Sequence, residues 1–189
     1  MSKKILVVID VQKDFYHPNG TLYVHGGNTL IEKLTTVMPL FDDIVFTVDW
    51  HPANHCSFTK NGGQWPVHCV AYTEGATLPD EFMPYFDEIH DNVCRNIIMK
   101  GSDSTREEYG ANANAIMIAQ NENPEETEFV FCGIAGDYCV KETVDNFIKK
   151  FPDIKVSVYT DGTVSLDGGM TLAHYMMENN IPSWTPDNR

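Results

Sequence analysis

Five short apolar runs, each closed by polar residues and separated from the next by a stretch of helical spacing, constrain this chain more than any other feature. They cover residues 5–9, closed by Asp10; residues 44–48, closed by Asp49; and residues 96–99, closed by Lys100. Residues 129–134 then run into Ala135-Gly136-Asp137, and residues 154–159 end at Thr160-Asp161-Gly162. The runs are unbroken or β-rich rather than alternating, which predicts strands covered on both faces. Between them, Leu30, Leu34, Val37 and Met38 share one helical face, as do Ala115, Ile116 and Ala119. Val140, Val144, Phe147 and Ile148 form another, and Leu172, Tyr175, Met176 and Ile181 the last. Such alternation predicts a three-layer α/β fold with a mostly parallel sheet and helices on both faces.

A length of 189 residues fits one domain over 1–189, and a hydrophobic fraction of 42% supplies a sizeable core. The 13 basic against 27 acidic residues leave a net charge of −14, which disfavours nucleic acid and anionic membranes as partners. A small neutral or cationic ligand is not repelled. Five dispersed cysteines, an odd number, argue for reduced thiols and a cytoplasmic setting rather than a disulfide framework. Met1-Ser2-Lys3-Lys4 leads straight into the first apolar run, so no signal peptide is expected. No stretch approaches the roughly 18 apolar residues of a membrane span. The sequence leaves homo-oligomerisation open.

Ligands of open α/β sheets bind beyond the carboxyl ends of the strands. Asp10, Asp49, Lys100 and the stretch leading to Cys139 all fall there. An Asp at a strand end is also an ordinary terminator; the convergence of all four on one rim points to a site. Cys139 follows a strand-to-turn stretch and opens a helical pattern, where a helix N-terminus favours thiolate and its N–H groups can form an oxyanion hole. Cys132, inside its strand, reads as structural. Asp10 can take the thiol proton and return it to a leaving amine, with Lys100 holding both anionic groups.

A second constellation lies in the Pro- and Gly-rich segment from Asp49 to about Asp91, long enough to suggest function. Asp49-Trp50-His51 puts a carboxylate and an imidazole on one side of a strand end, and His68 adds a second imidazole. This set suits Zn²⁺, Fe²⁺ or Mn²⁺. His55 is a nearby spare, whereas His17, His25, His90 and His174 read as surface or hydrogen-bonding residues. Phe15, Trp65 and Tyr138 lie close in sequence to these groups; each can be plain core, and together they suit a flat ring.

Residues Ile9-Asp10-Val11-Gln12-Lys13-Asp14-Phe15 resemble the opening motif of nicotinamidases, members of the isochorismatase-like cysteine hydrolases. Asp49-Trp50-His51-Pro52 and Trp65-Pro66-Val67-His68-Cys69 are similar to that family's metal segments. Lys100-Gly101 resembles its lysine segment, and residues 133–140 its nucleophile segment. The resemblance implies a six-stranded sheet of order 3-2-1-4-5-6 and deamidation of nicotinamide, or of close pyridine and pyrazine carboxamides, within NAD salvage. It implies Cys139 as nucleophile, Asp10 as base and Lys100 as third member, with an oxyanion hole from the Ala135 and Cys139 N–H groups after a cis peptide. Phe15 and Trp65 would sandwich the ring. Asp49, His51 and His68 would hold one divalent metal, zinc foremost, that binds the pyridine nitrogen. Some members carry a further histidine ligand eight residues after the aspartate; here Ser57 stands there, with His55 beside it, and a fourth protein ligand stays open. Rival expectations are a cysteine hydrolase acting on a carbamoyl or ureido amide, a vinyl-ether hydrolase of the isochorismatase type, and a non-catalytic binding protein on the same scaffold. The polar segment 102–109 has no assigned contacts at this level.

Overall fold

The computed structural model describes residues 3–88, 94–120 and 127–187. Strands β1 (Lys3–Ile9), β2 (Asp43–Asp49), β3 (Ile97–Lys100), β4 (Thr127–Ile134) and β5 (Lys155–Val164) form one sheet of order β3-β2-β1-β4-β5. Every pairing is parallel. The helices are α1 (Lys13–Tyr16), α2 (Leu30–Val37), α3 (Ala113–Gln120), α4 (Lys141–Lys150) and α5 (Met170–Glu178). The short α1 is an element that periodicity alone did not suggest. Among the described residues no helix is long and apolar enough to cross a membrane.

The unbroken apolar strands are explained by two cores. In β1, Leu6 and Val8 face one cluster with Leu30, Leu34 and Val37 of α2 and with Phe46 of β2. Ile5, Val7 and Ile9 face the other, with Ile116 of α3, Val144 and Phe147 of α4, and Leu172 and Met176 of α5. With period-two side chains and both faces buried, every β1 position from Ile5 to Ile9 must be apolar. At Gly133 (φ +125°) β4 passes so close to β1 that a Cβ would lie 2.0 Å from the Ile9 carbonyl oxygen, so only glycine fits.

Two expectations need correction. The sheet has five strands among the described residues, not six. The place of a sixth is taken by residues 181–184, which touch β5 through one isolated bridge, Val158–Ser183. Val158 N–H donates to Pro182 O (3.0 Å) and Trp184 N–H to Val158 O (2.8 Å). Pro182 has no N–H, and Pro186 follows shortly, so the ladder cannot lengthen. Second, β5 does not stop near residue 160. A register shift lets it bulge and rejoin β4, pairing Gly133 with Thr163 and Ile134 with Val164.

Parallel register aligns the strand ends: Ile9 pairs with Thr47 and with Gly133, and Asp49 with Lys100. Asp10, Asp49, Lys100 and the turn after β4 therefore emerge on one rim. Phe147 is fully buried and packs against Phe129, Phe131 and Phe151 with centroids 4.7 to 5.3 Å apart. Phe147→Ala is expected to cost about 3–5 kcal/mol, read as a lowered midpoint in urea denaturation.

Candidate active site

Lys100, at the end of β3, is almost fully buried, and its ammonium is the centre of the rim. Its Nζ lies 2.8 Å from Asp10 Oδ2, forms a close ion pair with Asp49 Oδ1, and sits 3.6 Å from Cys139 Sγ. Asp10, Asp49 and Cys139 each bring one ligand-type atom within 4.8 Å of the others. With an ammonium among them, this cluster is a cage for lysine rather than for a metal.

Asp10 ends β1 at φ +50°, a left-handed conformation that Asp tolerates better than most residues. Thr47, buried on β2, donates its hydroxyl to Asp10 Oδ1 at 2.6 Å. Oδ2 is ion-paired with Lys100, which is off the ideal hydrogen-bond direction. Burial, reinforced by the Asp49 charge, pushes the Asp10 carboxyl above its ordinary range, although Lys100 opposes the shift. Burial also opposes charge on Asp49, but there the Lys100 charge leads the opposing causes and the carboxyl is held below its usual range. For Lys100, burial works against the cation, and Asp10 and Asp49 outweigh it.

Cys139 falls in the turn between β4 and α4. It lies inside a one-turn π-helix, Gly136–Val140, that leads into α4, and it is buried. Burial raises its thiol well above the ordinary value despite Lys100. The Ile134–Ala135 peptide is cis, and Ala135 O accepts from both Tyr138 N–H (3.1 Å) and Val140 N–H (3.0 Å). Cys132 is wholly buried within β4, where burial alone raises its thiol pKa. All five cysteines are free.

Asp49, His51 and His68 meet because the segment after β2 folds back on itself. His51 N–H donates to Cys69 O (3.1 Å) and Ala71 N–H to His51 O (2.9 Å), which sets the two histidines side by side. Phe58, fully buried, packs edge-on against both rings. His51 Nδ1 lies 2.8 Å from Gly101 O and His68 Nδ1 2.7 Å from Pro66 O. Donation to these carbonyls leaves both Nε2 lone pairs facing Asp49 Oδ2, at 3.4 and 3.9 Å. A carboxylate and two lone pairs converging in a buried space repel one another unless a cation lies between them, so the donor set fits a divalent metal. Gly101 (φ +65°) is part of this fit, since a Cβ there would come within 2.5 Å of His51 Cε1.

His55 and Ser57 do not join the three donors. His55 stacks on His51 with centroids 4.1 Å apart, its Nδ1 lies 2.7 Å from Ser57 Oγ and its Nε2 3.1 Å from Arg106 O. Both ring nitrogens are thus engaged away from Asp49. His25 and His174 are exposed, and His17 accepts from Asn19 N–H. His90 lies outside the described residues.

Beside these groups opens a cleft of about 410 Å³, part of it open to solvent. Phe15, Trp65 and Tyr138 line it, together with Asp49, His68, Ala135 and Cys139. Trp65 and Tyr138 meet edge-to-face at 5.1 Å. Segment 102–109 supplies walls that the sequence left unassigned: Glu107 and Tyr109 line the cleft, and Tyr109 Oη accepts from Trp65 Nε1 (3.0 Å) and Gln64 Nε2 (2.7 Å). Leu166 arrives from beyond β5, held by Asp137, whose carboxylate accepts the Leu166 and Asp167 N–H groups.

Gln12 was the residue least legible as functional. Its buried side chain accepts Asp49 N–H (2.7 Å) and donates to Asp49 O (2.8 Å) and Ala76 O (3.0 Å). It clamps the main chain that carries the Asp49 carboxylate. Only its place two residues after Asp10 could have flagged it. Gln12→Met is expected to lower stability by about 3 kcal/mol, since three buried peptide groups lose partners; urea denaturation of the two proteins measures it.

The sequence model of the isochorismatase domain matches residues 4–180. The nicotinamidase of Saccharomyces cerevisiae is 33% identical over 74% of this chain and 79% of its own length. Among solved structures, PnC1 of L. infantum in complex with nicotinate superposes with a TM-score of 0.81 at 26% identity, covering 98% of this chain and 94% of its own. The pyrazinamidase of Pyrococcus horikoshii in complex with zinc gives 0.76 at 29% identity, with 97% and 99% covered.

Proposed function

The chain belongs to the isochorismatase-domain family, and we propose that it acts over residues 1–189 as a nicotinamidase, hydrolysing nicotinamide to nicotinate and ammonia in NAD salvage. One observation carries the reading: the buried Asp10–Lys100–Cys139 cluster shares Asp49 with a carboxylate–bis-imidazole donor set, at the wall of an aromatic-lined cleft. The names and bound species of the relatives support it. The intact donor set favours a pyridine carboxamide over a carbamoyl or ureido substrate, and the intact cluster favours catalysis over mere binding.

Phe15, Trp65 and Tyr138 sandwich and edge the flat ring, which sets the carboxamide against Cys139. Asp10 removes the thiol proton as Sγ attacks the carbonyl carbon, and the Ala135 and Cys139 N–H groups receive the developing oxyanion. Lys100 holds Asp10 ionised for this role and fixes it beside the sulfur. Collapse breaks the C–N bond; Asp10 returns its proton to the departing nitrogen, and ammonia leaves a thioester. Asp10 then takes a proton from water as its oxygen attacks the thioester, and the sulfur regains that proton as the acid leaves. A divalent cation held by Asp49, His51 and His68, zinc foremost, would supply Lewis acidity toward the pyridine nitrogen. The neutral substrate suits a surface of net charge −14, and the free cysteines suit a reducing cytoplasm.

Ammonia release from nicotinamide by the metal-loaded protein is the test. Cys139→Ala is expected to lower kcat at least about 10⁴-fold with an unchanged circular-dichroism spectrum. Folded, metal-loaded protein that releases no ammonia from nicotinamide overturns the assignment. Dialysis against a chelator is expected to remove one equivalent of metal, and His51→Ala to weaken its retention about 10–100-fold or more, a typical range for disturbed metal sites; chelator competition reads the difference.

A further inference from the structure

The cleft wall carries one acidic group that forms no ion pair among the described residues. Glu107 is half-buried and lines the cleft with Asp49, His68 and Cys139. Among the described residues its Oε1 accepts one hydrogen bond, from the adjacent Glu108 N–H, at 3.2 Å. The one arginine beside it, Arg106, turns to Glu108 instead, at 3.5 Å. Asp49, by contrast, is paired with Lys100. Burial displaces the Glu107 carboxyl upward, as expected for a carboxylate partly withdrawn from water. Much of the remaining wall is apolar, with Phe15, Trp65 and Tyr138 prominent.

The reaction read from this site converts a neutral carboxamide into a carboxylate on the same ring carbon. Substrate and product therefore have nearly one shape, and an aromatic clamp cannot tell them apart. Charge can. An uncompensated carboxylate on the wall of a small cleft repels an anion and leaves a neutral amide almost untouched, an effect of about tenfold or more at separations of several ångströms in a partly desolvated site. We propose that Glu107 is a specificity residue that weakens binding of the carboxylate product, and of anionic acids of the same shape, so that the neutral amide holds the cleft. The proposal deepens the nicotinamidase reading and rests on it.

The test compares nicotinate and nicotinamide binding by calorimetry on zinc-loaded protein in a Cys139→Ala background, where no turnover occurs. Adding E107Q is expected to lower the ratio of the nicotinate Kd to the nicotinamide Kd about tenfold, while E107D, which keeps the charge, holds the ratio within about threefold. In the turnover-competent enzyme, E107Q should strengthen product inhibition relative to KM by a similar factor. An unchanged ratio in E107Q overturns the proposal. So does a fall in zinc retention under chelator competition, which would make Glu107 a metal ligand. If Cys139→Ala protein binds neither compound and the wild type releases no ammonia, the nicotinamidase reading itself fails and the proposal falls with it. Ammonia release with an unchanged ratio sinks the Glu107 role alone.

Discussion

The buried ammonium of Lys100 is the interaction on which the rest of the site depends. It compensates two carboxylates that could not both stay charged in a desolvated space, and it does so from β3 toward β1 and β2 together. Without that cation, Asp10 would hold its proton and Asp49 would lose the field that keeps it anionic. Its contact with Cys139 extends the same charge to the π turn after β4. Four elements of the sheet rim are thereby tied to a single atom.

The consequence is that the proposed nucleophile and the candidate metal donors do not form separate sites. Asp49 turns one oxygen to Lys100 and the other to the histidine pair, so a change at either end is felt at the other. Neutral polar groups hold this arrangement in register. Thr47 orients Asp10, Gln12 clamps the Asp49 main chain, and the Gly101 and Pro66 carbonyls set the two imidazole tautomers. His55, stacked on His51 and bonded to Ser57 and Arg106, braces the metal side from behind rather than adding to its donors.

The charged side chains of the rim were legible because they end apolar runs, and parallel register brings strand ends to one rim. Asp10, Asp49 and Lys100 needed only that rule, and His51 needed only the period of two. His68 required more: its approach to His51 depends on main-chain hydrogen bonds between residues 51 and 69–71, which no local pattern announces. Gln12 and Thr47 carry ordinary polar side chains, and their roles are defined by partners 37 residues away. Glu107 and Tyr109 sit in a segment whose polarity suggested nothing beyond exposure, yet both line the cleft.

By itself, then, the sequence determined the layers, the strand order through a family resemblance, and the identities of the charged groups at the rim. Those follow from hydrophobic period and residue chemistry, which are local properties. Tertiary structure decided that the sheet has five strands among the described residues, with Pro182 beside the isolated bridge beyond β5, and that Cys139 is buried, which raises its thiol. It also decided which histidines face Asp49 and which cleft acid forms no ion pair among the described residues. Each of these depends on distance and desolvation between residues far apart in the chain, and such quantities exist only once the chain has folded.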